Sequence, residues 1–264
     1  DISLTEDFTT AGATVITADS DGNGAGDFSI STSKALSTGN SSLALTANDV
    51  TLSGSISSGT SSTTVAVSDG GTIGLGGTSG NMTIDAAELA NITAGTLNIG
   101  NSSTGNITVD GITAANSNNA TTVNLTTASA SSVSFSNNNS TFNALTVNGG
   151  SASFGSGLTV TTDTGKLSFN ATSITSAGAL TLAGATGIDF GSGVTYAAGG
   201  TLSMTTTSGG IAGAGAFTLT STGDISLTED FTTAGATVIT ADSDGSGTGD
   251  LSISTSKALS TGNS

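Results

Sequence analysis

Large apolar residues recur along this chain in pairs, two positions apart, with one small or polar residue between them. Leu180/Leu182, Ile188/Phe190, Val194/Tyr196, Leu202/Met204, Phe217/Leu219 and Ile225/Leu227 form the clearest run, and Leu43/Leu45, Val65/Val67, Ile107/Val109, Val123/Leu125 and Leu145/Val147 carry the same pattern earlier. A period of two sends alternate side chains to opposite faces, so each pair predicts a short strand with one buried face. Gly, Ser, Asn and Asp fill the intervals, and these residues tolerate tight turns and positive φ.

The interval between pairs selects the architecture. Leu180 to Leu202 is 22 residues, and Leu202 to Ile225, Ile188 to Ile211 and Val194 to Phe217 are each 23. Three strands fit each interval. The chain is therefore expected to be all-β, a parallel β-helix solenoid with three short strands per coil of about 22 residues, each strand bonded to its equivalent one coil on. A sandwich would need longer strands and hairpin turns, and hairpin-type pairs between alternating runs, as at Asp110-Gly111 and Asn148-Gly149, are too few to set the connectivity. At ~4.8 Å per coil, about 12 coils make a rod of roughly 55 Å.

A second, longer period lies over the first. Residues 1–41 and 224–264 align without a gap and differ only at Asn23/Ser246, Ala25/Thr248 and Phe28/Leu251. Residues 1–264 thus read as a single continuous solenoid, with 1–223 one full tandem unit of roughly ten coils and 224–264 the start of the next. The expectation is a window cut from a longer array.

Composition supports this reading and removes alternatives. The 39 glycines suit a chain that must turn three corners in every coil. Proline is absent, as a continuous ladder requires, because it would remove a backbone donor. With no His, Cys or Arg, there is no imidazole base, thiolate, zinc site or bidentate phosphate clamp, so an enzyme is not expected. Three Lys against 19 Asp and Glu give a net charge of −16, which argues against nucleic acid as a partner. No apolar run is long enough for membrane insertion.

Stretches such as Gly178-Ala179-Leu180-Thr181-Leu182-Ala183-Gly184, Gly200-Thr201-Leu202-Ser203-Met204-Thr205 and Ala216-Phe217-Thr218-Leu219-Thr220 resemble the repeats of filamentous-haemagglutinin-like proteins and giant repetitive bacterial surface adhesins. The resemblance is one of composition and period over nearly the whole chain. It implies a right-handed, secreted β-helix at the bacterial cell surface, acting as stalk, filament or adhesin. The implied partners are further copies of the same repeat, end to end, and a host, cell or matrix surface.

Candidate chemistry is sparse. The loop Asp19-Ser20-Asp21-Gly22-Asn23-Gly24-Ala25-Gly26-Asp27, repeated as Asp242-Ser243-Asp244-Gly245-Ser246-Gly247-Thr248-Gly249-Asp250, resembles a calcium loop of the D-x-[DN]-x-[DN]-G type. Asp19, Asp21, Asn23 and Asp27, with Asp242, Asp244 and Asp250, are the candidate ligands, and calcium is the candidate cofactor. Ile30 and Ile253 stand where a bidentate Glu belongs, so a solvated Gly/Asp corner is the competing reading. Glu6-Asp7 and Glu229-Asp230 resemble paired glycosidase carboxylates, but adjacent strand residues point to opposite faces. The Asn116/Asn118/Asn119 and Asn137-Asn138-Asn139 groups are expected at corners or in amide ladders. An alternative to the fibre is a solenoid that binds carbohydrate or ice through an outward Ser/Thr face. Thr159-Val160-Thr161, Thr205-Thr206-Thr207 and Thr218-Leu219-Thr220 supply hydroxyls for it, though the sequence spacing does not put them on one row.

Overall fold

The apolar member of each alternating pair has one place to go, a narrow interior enclosed by three sheets. In the computed structural model, which describes residues 1–262, the chain winds into an all-β solenoid of about 11 coils, with coils of roughly 22 residues and three strands per turn. The second tandem copy is thus described except for its last two positions, Asn263 and Ser264, which lie outside the described residues. The ladders are parallel and in register, as in Leu158↔Leu180↔Leu202↔Ile225↔Leu251. Leu180, Leu182, Ile188, Val194, Leu202, Met204, Phe217, Leu219, Ile225 and Leu227 are all buried.

Each coil visits three faces in the same order. The first face begins with strands Ile2–Leu4, Phe28–Ile30 and Val50–Leu52, the second with Phe8–Thr9, Ala35–Ser37 and Ser55–Ser57, and the third with Thr14–Thr17, Leu43–Ala47 and Ser62–Val67. The nine-residue strand Ile92–Gly100 covers two faces without a break: Ile92 pairs with Ile56 on the second and Leu97 with Thr63 on the third. The third-face ladder then runs unbroken through Val123, Leu145, Leu167, Ile188, Ile211, Phe231 and Leu259.

Fewer coils form than the 22-residue spacing predicts, because the first half of the chain spends more residues per turn. One coil carries an extra strand: Ile73–Gly76 is flanked on the first face by Met82–Ile84 and Ile107–Asp110. The connecting segment 77–81 must return across the outside of Ile73–Gly76. Gly74 makes the crossing possible, since a Cβ there would lie 2.5 Å from the Thr78 carbonyl oxygen. Two short helices fill corners that strand alternation did not predict. In α1 (Ala86–Ala90), the Asp85 carboxylate accepts from the Ala87 and Glu88 amides while Glu88 accepts from the Asp85 amide. In α2 (Ala114–Ser117), the Asn116 side chain accepts from the Thr113 amide and donates to the Ala86 carbonyl oxygen one coil below.

An aromatic column stiffens the later coils. Phe135, Phe154, Phe169, Phe190, Phe217 and Phe231 follow one another with centroid separations of 4.9–5.8 Å. Such contacts are worth about 0.5–1.5 kcal/mol each beyond the area they bury.

Candidate functional site

The acidic loop connects the third face to the first, between Thr17 and Phe28. Its carboxylates do not converge. Asp19 is buried and turned inward, accepting from the Asn23 amide at 3.2 Å, the Gly24 amide at 3.0 Å and the Ser68 hydroxyl at 2.6 Å. The Ser68 hydroxyl, aided by the Gly24 and Asn23 amides, holds Asp19 below the usual carboxylate range against the opposing effect of desolvation. Asp21 is exposed and accepts from the Asn23 side-chain amide at 2.8 Å. Asp27 faces the next coil, where its Oδ1 accepts from the Asn48 side chain and the Asp49 amide.

In the second copy, the Asp242 carboxyl is raised by desolvation but held below its ordinary value on balance by the Gly247 amide and the Ser246 hydroxyl. Asp244 and Asp250 are exposed. Among the described residues, no group of three or more acidic side chains could hold a metal ion. The geometry therefore gives the calcium reading of Asp19, Asp21, Asn23 and Asp27, and of Asp242, Asp244 and Asp250, no convergent ligand set. Donors from the protein itself occupy Asp19, and these are what a sequence motif cannot count.

What the acids do instead is join coils. Asp1 Oδ1 accepts from the Asp27 amide, Asp27 Oδ1 from the Asp49 amide, and Asp49 Oδ1 from the Thr83 amide, a vertical chain that the sequence reading missed. Glu6 and Asp7 reach forward by 28 positions, Glu6 to the Lys34 ammonium at 2.6 Å and Asp7 to the Ala35 amide at 3.0 Å. The second copy repeats both links, Lys257 to Glu229 and the Ala258 amide to Asp230. Glu6 beside it holds the Lys34 ammonium above its usual range. The paired carboxylates thus spend themselves on coil-to-coil contacts.

Asparagines also link coils, though not always where expected. Asn124 donates to Asn98 at 2.8 Å and Asn170 to Asn148 at 2.7 Å, two short amide ladders. Asn137 and Asn138 instead surround the buried Asp110, with Asn138 donating from both its backbone and side-chain nitrogens at 2.9 Å. Asn116 and Asn119 bond carbonyl oxygens of the coil below, at Ala86 and Ala90.

The outer surface carries aligned rows of hydroxyl side chains. On the first face, Ser132, Ser151, Ser173, Thr195 and Thr218 share a row. Beside it run Thr108, Ser134, Ser153, Thr175, Ala197, Thr220 and Thr240. The Thr pairs noted in the sequence do fall on different faces, since Thr159 and Thr161 lie on the second face and Thr218 and Thr220 on the first. The aligned rows mix serines with threonines, which a Thr-x-Thr search passes over. A shallow depression on the third face, lined by Thr146, Lys166, Ser168, Asn170 and Asp189, carries the ion pair Lys166–Asp189 at 2.7 Å.

No known family model, curated protein or solved structure matches the chain.

Proposed function

We propose that the chain is a structural segment of a long secreted or cell-surface fibre of adhesin type, in which it supplies length, stiffness and attachment. The carrying observation is the way the second tandem copy joins the first. Ile225, Phe231 and Thr237 take up ladder positions directly above Leu202, Ile211 and Phe217, with the register unchanged. Adding a copy therefore lengthens the rod without a new interface. The polar groups support the same reading, because Asp1, Glu6, Asp7, Asp27, Asp49 and the paired asparagines are bonded from coil to coil. End-to-end contact with further copies is the partner this geometry favours. Gold-labelled antibodies against the folded chain, applied to intact cells that make it, should decorate filaments standing off the surface. Label confined to the cell interior would refute the assignment.

The paired hydroxyl rows favour a second reading, a face that binds a regular surface of carbohydrate or ice. Neighbouring hydroxyls are spaced by ~4.8 Å along a row and by roughly 6.6 Å between rows. Retention on an insoluble polysaccharide, or thermal hysteresis of freezing, should be lost when Thr195 and Thr218 are replaced by Lys. Absence of both activities in the unmodified chain would remove this reading.

A further inference from the structure

We infer that a tandem array of this unit turns by one face at every copy, so that each surface feature winds around the fibre and returns to the same side only after three copies. The inference rests on the reading of the chain as a fibre segment and adds the symmetry of that fibre. If the 223-residue unit held a whole number of coils, every residue would share a ladder with its tandem mate. It does not. Val15 begins a third-face ladder that passes through Ala44, Thr64, Asn98, Asn124, Thr146, Ser168, Asp189 and Ala212 and reaches Thr232 nine coils on. Its mate Val238 lies six residues further along the chain, on the first face, above Thr218.

The same displacement holds for the other strands of the repeat. Phe8 stands on the second face and its mate Phe231 on the third. Phe28 stands on the first face, and its mate Leu251 lies on the second, above Ile225. The acidic loop accordingly moves from the corner between the third and first faces to the corner between the first and second. One copy advances nine and a third coils, roughly 45 Å along the axis at ~4.8 Å per coil, and rotates by about 120°.

Because the two junction sequences are nearly identical, the next copy repeats the step, and the pattern closes after roughly 130 Å. The consequence concerns side-by-side contact. The hydroxyl rows of the first face occupy its length only from Thr108 to Thr240, and in the following copy the corresponding strands fall on the second face. Two parallel fibres cannot keep the same faces together from copy to copy, whereas a single fibre presents its acidic corner in three directions.

The chain contains no cysteine, so introduced pairs report position cleanly. Adjacent in-register positions fall within the about 4.4–6.8 Å Cα separation that a disulfide spans. Thr218→Cys with Val238→Cys should cross-link nearly completely on mild oxidation, and Ala212→Cys with Val238→Cys should not. The reverse result would overturn the inference, because a whole number of coils places Val238 above Ala212. In a chain lengthened by two further copies and gold-labelled through Ser20→Cys and its equivalents, labels should return to one side every roughly 130 Å. Labels on a single edge every roughly 45 Å would also overturn it. A lengthened chain that forms no rod counts against the fibre reading, and the cysteine pairs still decide the rotation.

Discussion

At the scale of single residues, the stability of the rod rests on the inward side chains that each coil stacks on the next. Alternation alone is enough to place Leu182, since a residue flanked by Thr181 and Ala183 and in register with Val160 and Met204 has only the interior to enter. Leu182→Ala should cost about 2–5 kcal/mol, read from denaturant unfolding. Tyr196 fills a similar place, but its hydroxyl is buried without a hydrogen-bond partner among the described residues. Burial pushes the Tyr196 phenol well above its ordinary range. An unsatisfied buried hydroxyl costs about 1–3 kcal/mol, so Tyr196→Phe is expected to leave stability unchanged or raise it. A clear loss on that substitution would show that the hydroxyl is bonded.

Asp19 illustrates what was illegible. Its carboxylate accepts from Ser68, 49 positions away, a partner that no local pattern links to it. Because the folded pKa of Asp19 is lowered, its contribution is full above the unfolded value of about 3.9 and is lost as pH falls through the folded value. Ser68→Ala should therefore lower the melting temperature at neutral pH, and the gap to the unmodified chain should narrow as the solution is taken to about pH 3. A gap that widens in acid would contradict the assignment.

At the scale of elements, the strands were legible and the exceptions were not. Helix α1, five residues long, is too short to show a helical period of its own, and its one local signal is the D-x-x-E spacing of Asp85 and Glu88, a capping box. The crossing over Ile73–Gly76 was invisible for a different reason. Nothing in the sequence distinguishes a glycine at a corner from one beneath a returning loop. At Gly74 a Cβ would meet both the Thr78 carbonyl oxygen and the Ser79 backbone. Gly74→Ala should thus destabilise by about 1–3 kcal/mol and speed amide exchange over Ile73–Gly76 and Met82–Ile84, while distant coils stay protected.

At the scale of the whole molecule, the spacing of apolar pairs was sufficient for the solenoid but not for the number or phase of its coils. Those depend on how many residues each corner consumes. The two tandem copies serve as each other's control for what a neighbouring coil contributes. Phe28 and Leu36 are fully buried, whereas their mates Leu251 and Leu259 on the last coil are 44% and 40% exposed; at the other end Phe8 is 43% exposed and its mate Phe231 fully buried. Unpaired strand edges with exposed apolar side chains favour association. The chain should therefore associate end to end as concentration rises, or exchange its first and last coils faster than its centre.

The central claim, that each copy extends one continuous parallel rod, is tested most directly by small-angle X-ray scattering on the chain and on a version lengthened by one 223-residue unit. The account predicts that the longest dimension grows by roughly 45 Å while the cross-section stays constant. A lengthened chain whose cross-section increases instead, with no matching gain in length, would contradict it.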